Sequence, residues 1–240
     1  MHRFRFFINE FDSTLEYHTI LNPLLWKNEK LRRAIRKKLL NFGKVYAQYN
    51  NVPGNIIEDI IMVGGAAGYN YTKFSDIDVH VLIDKKKMGE QKLVDEIFKD
   101  KKKLWGLEHD IKVIGFPLEG YIQDISEEPP KSQGVYSLVR NEWIQKPALP
   151  PKLDPKDLGY AAKVTAWIDR INHLIDNDAP ISQFKKMKKR LSQLRSSALE
   201  KGGEFAEGNR VFKELRNAGI FDKMNKLLIK KHDKALSLED

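Results

Sequence analysis

Apolar positions recur every three or four residues over 31–49, at Leu31, Ile35, Leu39, Phe42, Tyr46 and Tyr49, which predicts one amphipathic helix. Asn22-Pro23 reads as its start, with Asn as cap and Pro in the first turn. The helix stops at the turn cluster NNVPGN, residues 50–55. DIIMV (59–63) and DIDVHVLID (76–84) then read as strands, and GEQKLVDEIFKDKKKLWG (89–106) as a helix with Leu93, Ile97 and Leu104 on its apolar side. A hairpin follows, DIKVI and PLEGYIQD, turning on Gly115-Phe116. The proline-rich stretch 125–153 still carries Tyr136, Leu138, Trp143 and Ile144, which favour burial, so it is expected to connect rather than to dangle.

From Pro155 the period is helical throughout. Asp154-Pro155 is expected to cap a helix running to Asp176, and a second follows Asp178-Ala179-Pro180 and ends at Gly202-Gly203. A third and fourth are divided by Gly219. The expected plan is an α+β domain over 1–150 followed by a helical bundle over 151–240.

Composition narrows the classes. Apolar residues make up 41% of 240, enough to build a core. There is no cysteine, which excludes disulfides, thiolate catalysis and zinc-thiolate sites. The six histidines show no metal-ligand spacing with one another. No apolar run reaches the roughly 18–20 residues of a membrane span, and no export signal is evident at the start. The expected setting is therefore cytoplasmic, without a membrane partner. Net charge is +9, and residues 155–240 contribute 18 basic against 12 acidic residues. In FKKMKKRLSQLR (184–195), Lys185, Lys188 and Lys189 fall near one helical face, with Arg195 farther on, a stripe suited to a nucleic-acid backbone.

The chemistry concentrates in VGGAAGYNYTKFSDIDVHVLID, residues 63–84. Asp76, Asp78 and His80 share one strand face, while Ile77, Val79, Val81 and Ile83 share the other. Two like charges on one face repel unless a cation sits between them, and an oxygen-seeking divalent ion, Mg²⁺ or Mn²⁺, is the usual solution. Gly64 and Gly65 end the preceding strand where backbone amides can approach an anion. Together these features suggest a triphosphate on glycine amides with its metals on a carboxylate pair. The loop lacks the G-K-[ST] ending of a P-loop.

A strand ending in Gly-Gly, a loop of about ten residues and then S-D-I-D-V-H-V resembles the signature of the polymerase-beta-like nucleotidyltransferase superfamily. Kanamycin nucleotidyltransferase, poly(A) polymerases and CCA-adding enzymes share that signature. More widely, HTILNPLLW, YNYTKFSDID, LEGYIQD, GVYSL and FKELRNAGIFDKM resemble uncharacterised nucleotidyltransferases of tailed phages, which would place the chain in the cytoplasm of a host cell. The resemblance implies a mixed sheet with flanking helices. It also implies transfer of an NMP from an NTP to an acceptor hydroxyl, two Mg²⁺ (or Mn²⁺) ions, and a third carboxylate on a neighbouring strand.

Glu119 and Asp110 compete for that place. With Ile114 opposite Pro117, parity puts Asp110, Lys112, Glu119 and Tyr121 on one face; the second hairpin strand favours Glu119, an earlier position Asp110. Lys73 and Lys112 are candidate cations for the leaving pyrophosphate, and Ser75 either donates to a phosphate or caps the loop turn. RNA, with a tRNA 3′ end in view, is the expected acceptor because of the basic helical part. Transfer to a protein or small molecule, synthesis of a signalling oligonucleotide, and a silent nucleotide- or RNA-binding module are the alternatives.

Overall fold

The computed structural model describes residues 11–152, 154 and 157–237. Two compact units appear: Glu16–Pro150, and Pro151–Asp240 joined by the N-terminal stretch that ends at Leu15. The α+β class holds, with a six-stranded mixed sheet and, later in the chain, a set of helices.

In the first unit, strands β1 (Trp26–Lys27) and β2 (Lys30–Leu31) form a small hairpin before helix α1 (Arg33–Tyr49). The expected helix start at Asn22-Pro23 is therefore corrected. Asn22 Oδ1 accepts from the Leu24 amide at 3.0 Å, and its carbonyl accepts from Leu25 and Trp26, so the residue closes a turn instead. Leu31 is buried from β2, not from the helix, while Ile35, Leu39, Phe42 and Tyr46 form the buried stripe of α1.

The sheet runs β5-β6-β4-β3-β7-β8, from β3 (Ile57–Val63), β4 (Ile77–Ile83), β5 (Lys112–Val113), β6 (Phe116–Asp124), β7 (Val135–Ser137) and β8 (Glu142–Gln145). Among the described residues, only β4 and β6 pair in parallel. Alternation decides the faces: Ile77, Val79, Val81 and Ile83 are fully buried in the same core cluster as α1 and Leu118 and Ile122 of β6. The proline-rich stretch supplies β7 and β8, with Tyr136 and Leu138 fully buried; Ile144, expected inside, is exposed.

Helix α2 (Gln91–Glu108) forms where expected but is rotated by about one residue. Val94, Phe98 and Trp105 are buried, whereas Leu93, Ile97 and Leu104 are about half exposed. Trp105 decides the rotation, because it meets Phe42, Tyr46 and Tyr49 of α1 edge-on, at 4.8–5.9 Å between ring centres. A polar strap ties this helix to the strand ends. Buried Lys85 pairs with Asp95 of α2 at 2.9 Å and with Glu127 at 3.0 Å. Gln123 Nε2 donates to the Glu127 carbonyl, and Gln123 Oε1 faces His80 Nδ1 at 2.7 Å.

The second unit contains α3 (Leu158–Asp176), α4 (Ile181–Gly202), α5 (Glu207–Asn217) and α6 (Ile220–Leu236) around a core of Val164, Ile171, Phe184, Leu191, Leu215 and Met224. Asp157, not Asp154, caps α3 by accepting from the Tyr160 amide at 3.0 Å; Pro155 lies outside the described residues. Gly219, at φ +70°, makes the left-handed turn between α5 and α6. Buried Glu214 receives the Ser13 and Thr14 hydroxyls, binding the N-terminal stretch to α5.

Burial pushes the His80 imidazole down to about 4, opposed by its bond to Gln123 and aided by the nearby Lys102 charge. The unfolded chain then binds a proton near 6.5 that the folded chain refuses until about 4, so stability is complete above 6.5 and falls as pH drops through that window. A pH series of urea melts should show this loss in the wild type and a flatter profile in His80→Gln.

Candidate metal centre

Strand pairing brings the carboxylates together. Val63, the last residue of β3, stands opposite Asp78, and Asp78 stands beside Glu119 across the parallel pair β4–β6. Asp76 sits just before β4. One carboxylate oxygen from each of Asp76, Asp78 and Glu119 lies within 4.8 Å of the others. Asp76 and Asp78 are half-buried and Glu119 is exposed. All three donors are hard oxygens, which fits Mg²⁺ or Mn²⁺ and not a soft thiolate metal.

Asp110 is not brought to this cluster. The hairpin turns on Ile114 and Gly115, at φ +52° and +82°, so Lys112 faces Pro117 and Val113 faces Phe116. A two-residue turn of this kind needs positive φ at both central positions, which Gly115 takes freely and Ile114 under strain. The register differs by two residues along β6 from the one expected, which preserves parity but leaves Asp110 ahead of β5. There it is largely exposed and paired with Lys112 at 2.9 Å.

The glycines divide their roles. Gly64 has φ +76°, and a Cβ built there would fall 2.0 Å from Asp78 Oδ2, so the missing side chain makes room for the aspartate itself. A Cβ on Gly65 would meet nothing closer than Ser75 Oγ at 3.6 Å. After Gly64 the chain enters a single 3₁₀ turn, Gly65–Ala67, and Trp26 Nε1 donates to the Ala66 carbonyl at 2.9 Å, anchoring the loop from β1.

The rest of the loop is internally braced. Ser75 is buried, and its hydroxyl accepts from the Thr72 amide at 2.9 Å, closing the loop turn. Tyr71 stacks on His18 with ring centres 3.8 Å apart, and His18 Nε2 also meets the Tyr71 carbonyl at 3.0 Å. Lys73 is exposed over the Phe74 ring. The cation set against the carboxylates is one the sequence reading missed: Lys102 of α2, 3.4 Å from Glu119 Oε2 and 5.7 Å from the centre of the Tyr121 ring. Lys102 falls in a run of lysines that reads as a solvated helix face, and only the packing of α2 distinguishes it.

No protein-family model matches the chain, and no curated protein matches it. Among solved structures, the chain is similar to the STING-associated CdnE c-di-GMP synthase from Capnocytophaga granulosa. The identity is 13%, over 87% of this chain and 69% of that one, with a TM-score of 0.24. It is also similar to the E. coli MS115-1 CdnC:HORMA-deltaN complex, at 13% identity over 78% of this chain and 61% of that one, with a TM-score of 0.24. Likeness this slight adds nothing to the geometry above.

Gly64→Ala should destabilise the protein by more than the ~1–2 kcal/mol of a left-handed non-glycine residue, because Asp78 must also move. Gly65→Ala should melt within a degree or two of wild type. Lys102→Gln should tighten Mn²⁺ binding about fivefold by electron paramagnetic resonance, since an ammonium a few ångströms from an ion costs on the order of 1 kcal/mol even in water. Weaker binding in Lys102→Gln would show that the lysine supports the centre rather than competing for it.

Proposed function

We propose that the chain is a metal-dependent nucleotidyltransferase that moves a nucleoside monophosphate from an NTP to an acceptor hydroxyl. The supporting observation is the convergence of Asp76, Asp78 and Glu119 from two parallel strands and the loop before them. Bound there, divalent cations would compensate the triphosphate charge and lower the pKa of the attacking hydroxyl.

The chain's own residues divide the remaining work. Asp76 and Asp78 would hold both ions, and Glu119 would share one of them. Gly64 keeps the strand end open so that Asp78 can turn its carboxylate into the centre. Lys102 balances Glu119 and, once released from it, is a mobile cation at the rim of the site. In the transfer, the acceptor oxygen bonds to the α-phosphorus as the bond to pyrophosphate breaks, and the hydroxyl proton is released. The acceptor we favour is RNA, for the excess positive charge of residues 155–240.

The test is incubation with each α-³²P-labelled NTP and Mg²⁺ or Mn²⁺, alone, with total RNA, or with total protein. Wild type should transfer label and Asp76→Asn/Asp78→Asn should fall to background. Label in RNA fits the favoured acceptor; labelled oligonucleotides formed from NTP alone would reassign the acceptor to a second nucleotide. A wild type that labels nothing and binds no Mn²⁺-NTP would contradict the reading.

A further inference from the structure

Helix α4 carries Arg190, Gln193, Ser197 and Lys201 at intervals of three, four and four, which places them along one face. With Trp167 of α3 they line a groove of about 580 Å³ within the helical unit, in the size range of small-ligand sites. Its floor is made of small residues. A Cβ on Gly208 would lie 3.0 Å from Ala198 Cβ and 3.0 Å from Leu194 Cδ1, so α5 approaches α4 closely there and leaves the depression beside it.

The charge in the groove is uncompensated. No acidic side chain lines it, and among the described residues neither Arg190 nor Lys201 makes an ion pair. Other lysines of this unit are neutralised: Lys163 by Glu207, Lys213 by Glu204 and Lys231 by Asp178. Trp167 is partly exposed, with the Arg170 guanidinium 5.6 Å from its ring. Two members of the basic stripe read from the sequence make contacts of their own. Lys188 bonds to Asn225 at 2.8 Å, and Arg195 lies over Phe212 at 4.9 Å with its Nε buried.

We propose that this groove binds a single-stranded polynucleotide, with one base stacked on Trp167 and phosphates held by Arg190 and Lys201. An aromatic face flanked by cations and neutral hydrogen-bonding groups is the chemistry that takes a base and its backbone without reading sequence. Gln193 and Ser197, between the two cations, face the sugar or the base edge. Eleven residue steps of helix take Arg190 to Lys201, about 16 Å, so the two contacts belong to different nucleotides and not to one phosphate. The groove does not depend on the proposed transfer chemistry, and its occupancy is measurable in a catalytically dead chain.

The test titrates fluorescein-labelled octauridylate and octathymidylate with the full chain carrying Asp76→Asn/Asp78→Asn, by anisotropy at two salt concentrations. Binding of either oligomer supports the groove, and the tighter one identifies RNA or DNA as the source. Arg190→Gln/Lys201→Gln should lower affinity at least about tenfold and reduce the log–log salt slope by about 1.4, two single-strand phosphate contacts at ~0.7 each. Trp167→Leu should lose about fivefold or more, and Trp167→Phe, which keeps a stacking ring, should lose little. Lys226→Gln/Lys230→Gln, exposed on α6 and not lining the groove, should stay within twofold. Absence of binding, or an equal loss in that last variant, would overturn the proposal in favour of diffuse charge or none.

Discussion

Three carboxylates whose oxygens come within 4.8 Å of one another are the constraint around which the first unit is organised. At about 4 Å each pair of like charges costs ~1 kcal/mol in water and several times more at the effective dielectric of a protein surface. Side-chain flexibility could relieve that cost, but the backbone does not allow the groups to separate far. Asp78 is fixed opposite Val63 on one side and beside Glu119 on the other, and β4 buries four aliphatic residues on its reverse face. A one-residue slip would put those aliphatics into solvent. The hydrophobic register therefore imposes the electrostatic strain, and a bound cation is the simplest relief for it.

The structure already offers partial relief in Lys102, which reaches Glu119 from α2. Its place depends on the rotation of that helix, which depends on Trp105 packing against three aromatic rings of α1. The Lys85 strap holds the same helix from the far end of the strands. Packing on the buried face of the sheet thus sets the charge balance on the open face. That coupling explains why a cation so close to the centre stands in an otherwise ordinary run of lysines.

Much of the site was legible in sequence because it follows from strict period-two alternation. Asp76, Asp78 and the aliphatics between them needed only the strand rule, and the Gly-Gly ending marked where the strand stops. Parity placed Glu119 on the face of Asp76 and Asp78 even though the hairpin register was two residues off, since an even shift leaves faces unchanged, but it placed Asp110 there as well and could not choose between them. What was not legible depends on competition between nearly equal patterns. In α2, Leu93, Ile97 and Leu104 and the set Val94, Phe98 and Trp105 are one residue apart, and tertiary contact with α1 chose the second. Asn22-Pro23 satisfies both helix-cap and turn chemistry, and here it closes the turn that leads into β1. The groove beside Trp167 required knowing which faces of α4 the other helices cover.

The most direct measurement is anomalous diffraction from crystals grown with Mn²⁺ and a non-hydrolysable NTP analogue. The account predicts manganese density ligated by Asp76, Asp78 and Glu119, with Lys102 withdrawn from Glu119. Manganese bound elsewhere, or none at all with the Lys102–Glu119 pair intact, would contradict it.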